Sequence, residues 1–491
     1  MNLPTVILVT SNGVGAGHLI RASAIARRLD QTARPIIFSM AYSVVEVSNS
    51  LGIECEYVPG RDKGLMMRRK WDNYLRDRLV ALIDETNAKV VTFDGVVPYP
   101  GVMAAKFRRP DVSFIWIRRG MWQRKPQGIA LSLQSKLMDY VIEPGDIARE
   151  YDAGPTKGRN EAFVTSPVSL YDPDKSLSRD SARKKLGLDK DRITVLVQLG
   201  VGERDLDERV SAVLKGLSRW SNIQIVMPKE AKSQTGESLV PKGVKIKVIK
   251  YFPLADVIHA FDAIVCAAGY NSVHEVIPAK IPTLLIANNR GTDDQVARAK
   301  WCEDYELTLF ANNDSLAEIE QKSSELMEPK NLLRLTQMCQ RIPKFTGDRD
   351  IASAITMLSN TSVSSLILKR MRHQRFLAQT ELERGIGHIL RKLVNSLLRV
   401  AALAFRTLFP HDSEVTPESE VVFSDSLDNK FCSASIRGNT RFEHLLSGYS
   451  ETYLRVRRQL ALNAYQVSEE LLSFKVQEER LDRFPLTLQQ F

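Results

Sequence analysis

The amino-acid sequence predicts an α/β protein with two parallel-sheet domains that face a cleft, followed by a C-terminal helical extension. Two observations predict this fold. Buried strands alternate with helical segments in two successive series, and a glycine-rich loop follows the first strand of each series. The 491 residues are enough for two domains and an appendage. A content of 44% hydrophobic and 26% charged residues is typical of a folded soluble protein.

The first series begins with the β-branched run Thr5–Thr10, which leads into a loop that carries Gly13, Gly15 and Gly17. A helical pattern follows from His18 to Leu29, so the predicted order is strand, glycine loop and helix. Four further strands and one long helix are predicted in this half, at Pro35–Phe38, Lys89–Phe93, Ser113–Ile117 and Tyr140–Ile142 for the strands and Leu75–Asn87 for the helix.

The second series follows the polar stretch Tyr171–Asp180. We place the domain boundary near Val164–Val168, which gives a first domain of residues 1–165 and a second domain of residues 166–360. The predicted strands of the second domain are Thr194–Gln198, Gln224–Met227, Val244–Val248, Ala263–Cys266 and Thr283–Ile286. Because open parallel sheets bind ligands beyond the carboxyl ends of their strands, the cleft between the domains is the expected ligand site.

The composition of the chain predicts the classes of partner that it binds and the cellular compartment in which it works. The net charge of +10 favours anionic partners such as phosphate-bearing ligands, acidic membranes or nucleic acid. The five cysteines form no CxxC pair, so neither a zinc site nor a disulfide framework is predicted, and a reducing cytoplasm is the expected compartment. The N-terminus has no signal-peptide pattern, and no uninterrupted apolar stretch reaches the ~20 residues of a spanning helix. Any membrane contact is therefore expected to be peripheral.

Beyond residue 360 the sequence changes character. Residues 361–411 are basic and helical in pattern, and residues 412–491 form an acidic linker and a helical tail. Between Arg384 and Phe409, apolar residues at helical spacing alternate with arginines, which predicts either an interfacial helix on anionic membranes or a body-packed helix with a solvated basic face. Leu65–Trp71 is a second candidate membrane contact. The apolar stripe of residues 449–482 predicts a packed helix or weak self-association.

Two side chains of the first domain are candidates for proton transfer. His18 lies at the mouth of the first helix, and its near-neutral pKa suits a proton acceptor, although a capping or solvent-facing histidine fits the same position. Asp94 follows the strand Lys89–Phe93 and is the other candidate base, unless it only anchors its own turn.

The second domain contains two candidate anion loops. A strand runs into the loop with Gly200 and Gly202, which suits a diphosphate held by backbone N–H groups. A second strand leads through Gly269 into a helix that carries Glu275 in its second turn. The Glu275 carboxylate is placed to accept two ribose hydroxyls, but a glutamate that complements the helix dipole explains the position equally well.

Three strings of sequence together resemble a known family. They are Gly13–Ala22, Ala268–Glu275 and Asp293–Ala299, and they look like the signatures of glycosyltransferase family 28, the MurG-like nucleotide-sugar transferases. The resemblance covers about residues 5–358, with the motifs in the expected order. It implies the GT-B fold of two Rossmann-like domains, a UDP-linked donor sugar, a membrane-associated or cell-envelope acceptor, inversion at the anomeric carbon and no metal or other cofactor.

The resemblance also implies roles for individual residues. It assigns the Glu275 carboxylate to the donor ribose, Asp294 and Gln295 to the donor sugar, and Phe252 to the backbone that wraps the base. The complete set of donor-binding residues implied by the resemblance is Gly15, Gly17, Gly200, Gly202, Phe252, Gly269, Asn271, Ser272, Glu275, Asp294 and Gln295. His18 is the implied base or orienting group.

Two segments depart from the family pattern. The second glycine loop reads Gln-Leu-Gly-Val-Gly in place of a Gly-Gly-Ser-rich string, and Trp116–Trp122 replaces the family's acceptor-side motif. This second segment carries Arg118 and Arg119, which suit an acceptor phosphate or another anion, although a solvated basic loop fits as well. The identity of the acceptor stays open.

The leading interpretation is a glycosyltransferase that works at the inner face of the cell membrane and has no nucleic-acid partner. Two alternatives remain: a nucleotide-sugar epimerase or hydrolase on the same fold, and a non-catalytic membrane-associated adaptor. The donor-side motifs favour an enzyme over the adaptor, and the predicted interfacial helix favours a transferase over the epimerase.

Overall fold

A computed structural model describes residues 3–361 apart from short gaps at residues 12–15, 30, 42, 62–66, 124–129, 160, 201–204, 229–239, 241–243 and 290–291. Gly13, Gly15 and Gly202 lie outside the described residues. The predicted membrane helix of residues 384–409, the linker and the tail lie outside them as well.

The first domain is built on a seven-stranded parallel sheet with strand order β3-β2-β1-β4-β5-β6-β7. Its central strands are fully buried runs of β-branched and aromatic residues, as expected for a parallel sheet covered on both faces. The strands are β1 (Thr5–Thr10), β2 (Arg34–Ser39), β3 (Glu54–Tyr57), β4 (Val90–Asp94), β5 (Ser113–Ile117), β6 (Tyr140–Glu143) and β7 (Ala162–Val164).

The second domain repeats this plan with a six-stranded parallel sheet in the order β10-β9-β8-β11-β12-β13. The strands are β8 (Ile193–Gln198), β9 (Ile223–Pro228), β10 (Ile246–Ile249), β11 (Ala263–Ala267), β12 (Thr283–Ile286) and β13 (Leu309–Ala311). In both sheets the chain starts in the middle, builds outward to one edge and then returns to the other side. The strand order therefore reverses between β1 and β4 and between β8 and β11, and such reversal points are where open α/β sheets bind ligands.

Helices cover both sheets. In the first domain they are α1 (Gly17–Leu29), α2 (Val44–Leu51), α3 (Arg68–Thr86), α4 (Pro100–Arg108) and α5 (Ala130–Leu137). In the rest of the described chain they are α6 (Arg179–Leu186), α7 (Leu206–Leu217), α8 (Tyr270–Val276), α9 (Gln295–Asp304), α10 (Leu316–Leu326), α11 (Pro329–Cys339) and α12 (Gly347–Ser359), with short 3₁₀ turns at Arg149–Tyr151 and Leu254–Ala260. Among the described residues, no helix is both long enough and apolar enough to cross a lipid bilayer.

The last described helix, α12, returns to the first domain. Ile351 and Ile355 on this helix are fully buried in the core of the first sheet. Asp348 at its start pairs with Arg28 on α1, at 2.5 Å between a side-chain oxygen and the guanidinium Nε. The sequence places residues 166–360 in one domain, whereas the structure packs the end of that range on the other domain, because the apolar stripe of α12 is buried there.

Three short strands are missing from the sequence prediction: β3, β7 and β13. Each has only three or four residues, and β3 reads Glu-Cys-Glu-Tyr, so neither length nor apolar content marks it as a strand. All three lie in the outer parts of their sheets. The predicted strand Val244–Val248 is shifted to Ile246–Ile249.

The candidate membrane contact Leu65–Trp71 is corrected at its C-terminal end. Trp71 is only 3% exposed, and its indole N–H donates a hydrogen bond to the Pro59 carbonyl at 3.0 Å. The tryptophan therefore belongs to the core of the first domain and is not available to lipid.

Candidate functional site

The strand reversal in the first sheet brings His18 and Asp94 together although 76 residues separate them in sequence. Asp94 is the last residue of β4 and pairs in register with Thr10, the last residue of β1. His18 is the second residue of the helix that follows β1, so both side chains lie at the carboxyl edge of the sheet. The His18 Nδ1 atom lies 2.7 Å from Asp94 Oδ1.

Arg21, one turn along α1 from His18, completes this cluster. Its Nε donates to Asp94 Oδ2 at 2.7 Å, and its second terminal nitrogen donates to Asp94 Oδ1, so the carboxylate is held on both oxygens. Both side chains are about 2% exposed. Burial alone would raise the pKa of Asp94, but the charge of Arg21 and the hydrogen bond to His18 outweigh burial and lower that pKa.

The protonation of His18 follows from these contacts. Burial lowers the pKa of His18 below its usual value of 6.5, and the attraction of Asp94 offsets only part of this effect. The imidazole is therefore neutral at physiological pH. Because the ionised carboxylate of Asp94 can only accept, Nδ1 carries the imidazole hydrogen and Nε2 is left with a lone pair. A neutral histidine oriented by a buried carboxylate is suited to act as a general base.

The reversal point of the second sheet faces this cluster. Gly200 follows β8 with a φ of 86°, a left-handed conformation that favours glycine. Gly269 precedes helix α8, and the Asn271 side-chain amide on that helix donates to the Gly17 carbonyl at 2.9 Å. A Cβ atom on Gly17 would lie 3.8 Å from the same amide nitrogen. The described parts of the two glycine-bearing edges therefore meet across the cleft, at Gly17 and Asn271.

Glu275 lies on α8 with its side chain half-buried, and its carboxyl group makes no hydrogen bond or ion pair with any other described residue. Burial raises the pKa of Glu275 to about 8, and the negative charge of Asp256 adds to the shift. A half-buried carboxyl group that lacks a partner within the described structure is expected to gain one from a ligand.

Asp294 and Gln295, the predicted donor-sugar contacts, have structural partners. Asp294 caps helix α9 by accepting a hydrogen bond from the Ala297 backbone N–H at 3.0 Å. Gln295 is 6% exposed, accepts from the Asn288 backbone N–H at 2.9 Å and donates to Asp293 at 3.1 Å. These contacts fix the loop before α9 at the cleft, and direct contact of the two side chains with a sugar stays a prediction.

The acceptor-side prediction for Arg118 is wrong, because Arg118 is fully buried. Its guanidinium lies 3.0 Å from a Glu143 oxygen and 2.7 Å from a Glu161 oxygen, inside the first domain. An arginine enclosed by two carboxylates cannot meet an acceptor without breaking a buried ion pair, which costs several kcal/mol. Arg118 is therefore a structural residue.

Arg119 instead faces the second domain. Its guanidinium lies 3.4 Å from Asp293 Oδ1, and its Nε is buried without a hydrogen-bond partner among the described residues. Burial lowers the pKa of Arg119, and the side chain is 14% exposed, so the alternative of a solvated basic loop does not hold. The positive charge of Arg119 contributes to the lowering of the pKa of His18.

A buried ion network joins the two domains beside the site. Arg298 on α9 is fully buried and contacts Asp146, which follows β6, at 2.8 Å and Asp293 at 2.9 Å. Burial alone would raise the pKa of Asp293, but the charges of Arg119 and Arg298 lower it to about 2. Sequence reasoning missed Arg298 and Asp146, since nothing in their spacing of 152 residues marks them as partners.

Tyr270, at the start of α8, was also missed. It is 3% exposed, and its hydroxyl donates to the Gly145 carbonyl at 2.8 Å and accepts from the Val168 backbone N–H at 2.9 Å. Its ring lies against Arg21, with 5.0 Å from the guanidinium carbon to the ring centroid. Phe252, the predicted base-side residue, is partly buried and packs against the first domain's core.

No group of three or more potential metal ligands occurs within the part of the chain that the structure describes.

Comparison with known proteins agrees with this architecture. Residues 194–353 match the family model of the glycosyltransferase family 28 C-terminal domain. A Rhodococcus opacus protein is 25% identical over 325 residues, which cover 60% of this chain and 80% of the relative. A Fusobacterium nucleatum protein is 22% identical, covering 67% of this chain and 91% of the relative. Both are named UDP-N-acetylglucosamine--N-acetylmuramyl-(pentapeptide) pyrophosphoryl-undecaprenol N-acetylglucosamine transferase.

Solved structures share the fold. The spinosyn forosaminyltransferase SpnP superposes with a TM-score of 0.51 at 14% identity, covering 72% of this chain and 99% of its own. The UDP-GlcNAc 2-epimerase from Neisseria meningitidis, bound to UDP-GlcNAc, has a TM-score of 0.51 at 12% identity and covers 71% and 99%. At these identities the likeness shows the GT-B fold alone. Residues 194–353 therefore carry a glycosyltransferase family 28 C-terminal domain, and the chain is similar to the N-acetylglucosamine transferases named above over 60% and 67% of its length.

Proposed function

We propose that this enzyme transfers a sugar from a uridine diphosphate donor to the hydroxyl of a lipid-linked or polymeric acceptor, in the cleft between its two domains. The names of the relatives support a UDP-linked donor and an acceptor on an undecaprenol lipid. The observation that supports the proposal is the 2.7 Å contact between Asp94 Oδ1 and His18 Nδ1, on the helix whose first residue, Gly17, accepts a hydrogen bond from Asn271 of α8.

The proton of the acceptor hydroxyl goes to His18 in this scheme. Nε2 accepts the proton while the acceptor oxygen attacks the anomeric carbon, and the buried Asp94 carboxylate stabilises the imidazolium that forms. Arg21 holds the carboxylate on both oxygens, which prevents Asp94 from rotating away from the histidine. Such a base contributes about 10²–10⁴-fold to the rate.

In this proposal the second domain stabilises the negative charge that develops on the leaving diphosphate. The backbone turns at Gly200 and Gly269 approach the cleft without side chains, which lets a phosphate lie close to N–H groups. Glu275 accepts the ribose hydroxyls, and this contact supplies the partner that its half-buried carboxyl group lacks among the described residues.

Arg119, rather than Arg118, is our candidate for the residue that binds an anionic group of the acceptor. Among the described residues its Nε has no hydrogen-bond partner, and its guanidinium lies 3.4 Å from Asp293 Oδ1, which leaves hydrogen-bonding capacity in the cleft. We further propose that the reaction inverts the anomeric carbon in one displacement and needs no bound metal, since backbone N–H donors of the second domain stabilise the charge of the leaving diphosphate. The anomeric configuration of the product by NMR, and activity in the presence of a chelator, test these two points.

The membrane part of the proposal concerns residues 384–409, which lie outside the described residues. Their arginines and apolar residues support a peripheral position on anionic lipid at the cytoplasmic face, where a lipid-linked acceptor is within reach. Self-association through residues 449–482 stays a prediction.

Turnover of nucleotide sugars with and without a lipid extract tests the proposed function. A transferase releases UDP only when an acceptor is present and yields a glycosylated lipid. An epimerase or hydrolase consumes the donor without lipid, and an adaptor binds lipid without any turnover. Either of these last outcomes would refute the proposal and favour the alternative that it describes.

A further inference from the structure

We propose that Tyr270 is a positioning residue: its ring holds Arg21 against Asp94 and thereby orients His18 toward the donor side of the cleft. The inference rests on the proposed role of His18 as the base. It adds a residue of the second domain to the machinery that aligns a base in the first domain.

The geometry of the contact is specific. The Arg21 guanidinium uses Nε and one terminal nitrogen to grip the two oxygens of Asp94, so its plane is fixed edge-on to the carboxylate. The Tyr270 ring lies 5.0 Å from the guanidinium carbon, within the range of a cation–π contact. Because both side chains are at most 3% exposed, no water competes for this face of the guanidinium.

Displacement of Arg21 would disturb His18 directly. The terminal nitrogen of Arg21 that reaches Asp94 also lies 3.2 Å from His18 Nδ1. Both groups are donors that share Oδ1 of the same carboxylate, so the position of one limits the position of the other. An arginine released from Tyr270 would be free to leave Oδ1, and the imidazole would lose the contact that limits its rotation.

The Tyr270 hydroxyl has a role separate from that of the ring. It donates a hydrogen bond to the Gly145 carbonyl and accepts one from the Val168 backbone N–H, in the segments that follow β6 and β7. Burial raises the pKa of the Tyr270 phenol, so the hydroxyl stays neutral and acts only through these hydrogen bonds. Ring and hydroxyl can therefore be separated by mutation: Tyr270→Phe keeps the ring face, whereas Tyr270→Leu removes both.

A titration of the His18 imidazole by NMR tests the proposal without any substrate. The His18→Ala variant assigns the resonance among the seven histidines of the chain. The charged groups that face His18 are Asp94 on β4, Arg21 on α1 and Arg119 after β5, and of these Arg21 and Arg119 lower its pKa. If Tyr270→Leu lets Arg21 move away, the pKa of His18 rises, whereas Tyr270→Phe leaves it unchanged.

Kinetics provide the second measurement. We expect Tyr270→Leu to lower kcat on the order of 10²-fold, the cost of a catalytic group displaced by about 1 Å, while KM for the donor changes less than about threefold. Tyr171→Leu is the matched control, since Tyr171 packs against both domains and contacts His259 rather than Arg21. This control should keep the wild-type pKa of His18 and the wild-type kcat.

Two results would overturn the proposal. One is a wild-type His18 pKa and kcat in Tyr270→Leu; the other is an equal loss in Tyr270→Phe, which would assign the effect to the hydroxyl. If Tyr270→Leu does not fold, Tyr270→Met fills the same space without an aromatic face and serves the same comparison. Because the titration needs no turnover, a protein that lacks transferase activity would refute the proposed function and still leave this measurement decisive for Tyr270.

Discussion

Donor affinity should depend on pH through a single proton on Glu275. In the free enzyme, burial raises the pKa of Glu275 to about 8, so at pH 7 this side chain is mostly protonated. Two ribose hydroxyls bind best to the ionised carboxylate, because a hydrogen bond to a charged group is stronger than one to a neutral group. Binding of the donor should therefore release a proton.

The size of the effect follows from the strength of these bonds. A charge-assisted hydrogen bond contributes about 1.5–3 kcal/mol, and 1.4 kcal/mol corresponds to tenfold in affinity. The pKa of Glu275 should fall by about one to two units in the complex. Donor affinity should then rise about 10- to 100-fold between roughly pH 6 and pH 8.5 and level off above that.

Calorimetry with an intact nucleotide sugar in two buffers of different ionisation enthalpy measures both affinity and proton release. The intact sugar is preferable to free UDP, whose terminal phosphate titrates near a pKa of about 6. Glu275→Gln should bind about 10- to 100-fold more weakly at pH 8.5 and show no pH dependence. Glu318→Gln is the matched control, since Glu318 is a glutamate in the first turn of another helix, α10. Affinity that is flat with pH in the wild type, with no proton released, would refute this role of Glu275.

Four further results are expected. The folded-state pKa of Glu275 lies above its ordinary value of 4.5. Without donor, the free energy of unfolding of the wild type should therefore fall relative to that of Glu275→Gln as the pH rises from about 4.5 to 8. In chemical unfolding this fall should be at most about 1.4 kcal/mol per pH unit. At saturating donor, kcat/KM for the acceptor should fall on acidification with a midpoint below pH 6.5, because burial lowers the pKa of His18. A midpoint well above pH 6.5 would contradict a buried, neutral base. Arg298→Met should lower the free energy of unfolding by about 3–5 kcal/mol, since Asp146 loses the charge of Arg298 and Asp293 keeps only its contact with Arg119. A loss below about 1 kcal/mol in urea unfolding would contradict this network. Replacing Leu393 and Leu397 with Glu should release the protein from anionic vesicles in flotation while transfer to a soluble acceptor persists, and unchanged flotation would return residues 384–409 to a structural role.

The central strands of both sheets could be predicted from the sequence because they are buried on both faces. Thr5–Thr10, Ser113–Ile117 and Thr283–Ile286 were predicted with their observed bounds, since continuous β-branched and apolar runs bounded by turns are typical of such strands. Three of the four edge strands, β3, β7 and β13, could not be found in this way. Glu54–Tyr57 carries two glutamates and is held by its neighbour in the sheet rather than by its own composition.

The candidate site was only partly predictable. His18 and Asp94 were found as separate candidates because each follows a predicted strand, and the adjacency of β1 and β4 then explains why they meet. Arg21 and Tyr270 were missed, because their contact joins two domains and no local pattern encodes it. The error on Arg118 arose within the first domain, because its partner Glu161 is distant in sequence and lies next to the short strand β7, which the sequence did not reveal.

The proposed transfer depends most on His18 as the base, and one comparison tests this directly. Wild type and His18→Ala are supplied with a UDP-sugar and a lipid acceptor, and UDP release and donor affinity are measured for both. We predict acceptor-dependent release in the wild type and a loss of about 10²–10⁴-fold in His18→Ala, with donor affinity within a few-fold of wild type. A variant that releases UDP at the wild-type rate, or that loses only donor affinity, would contradict the account.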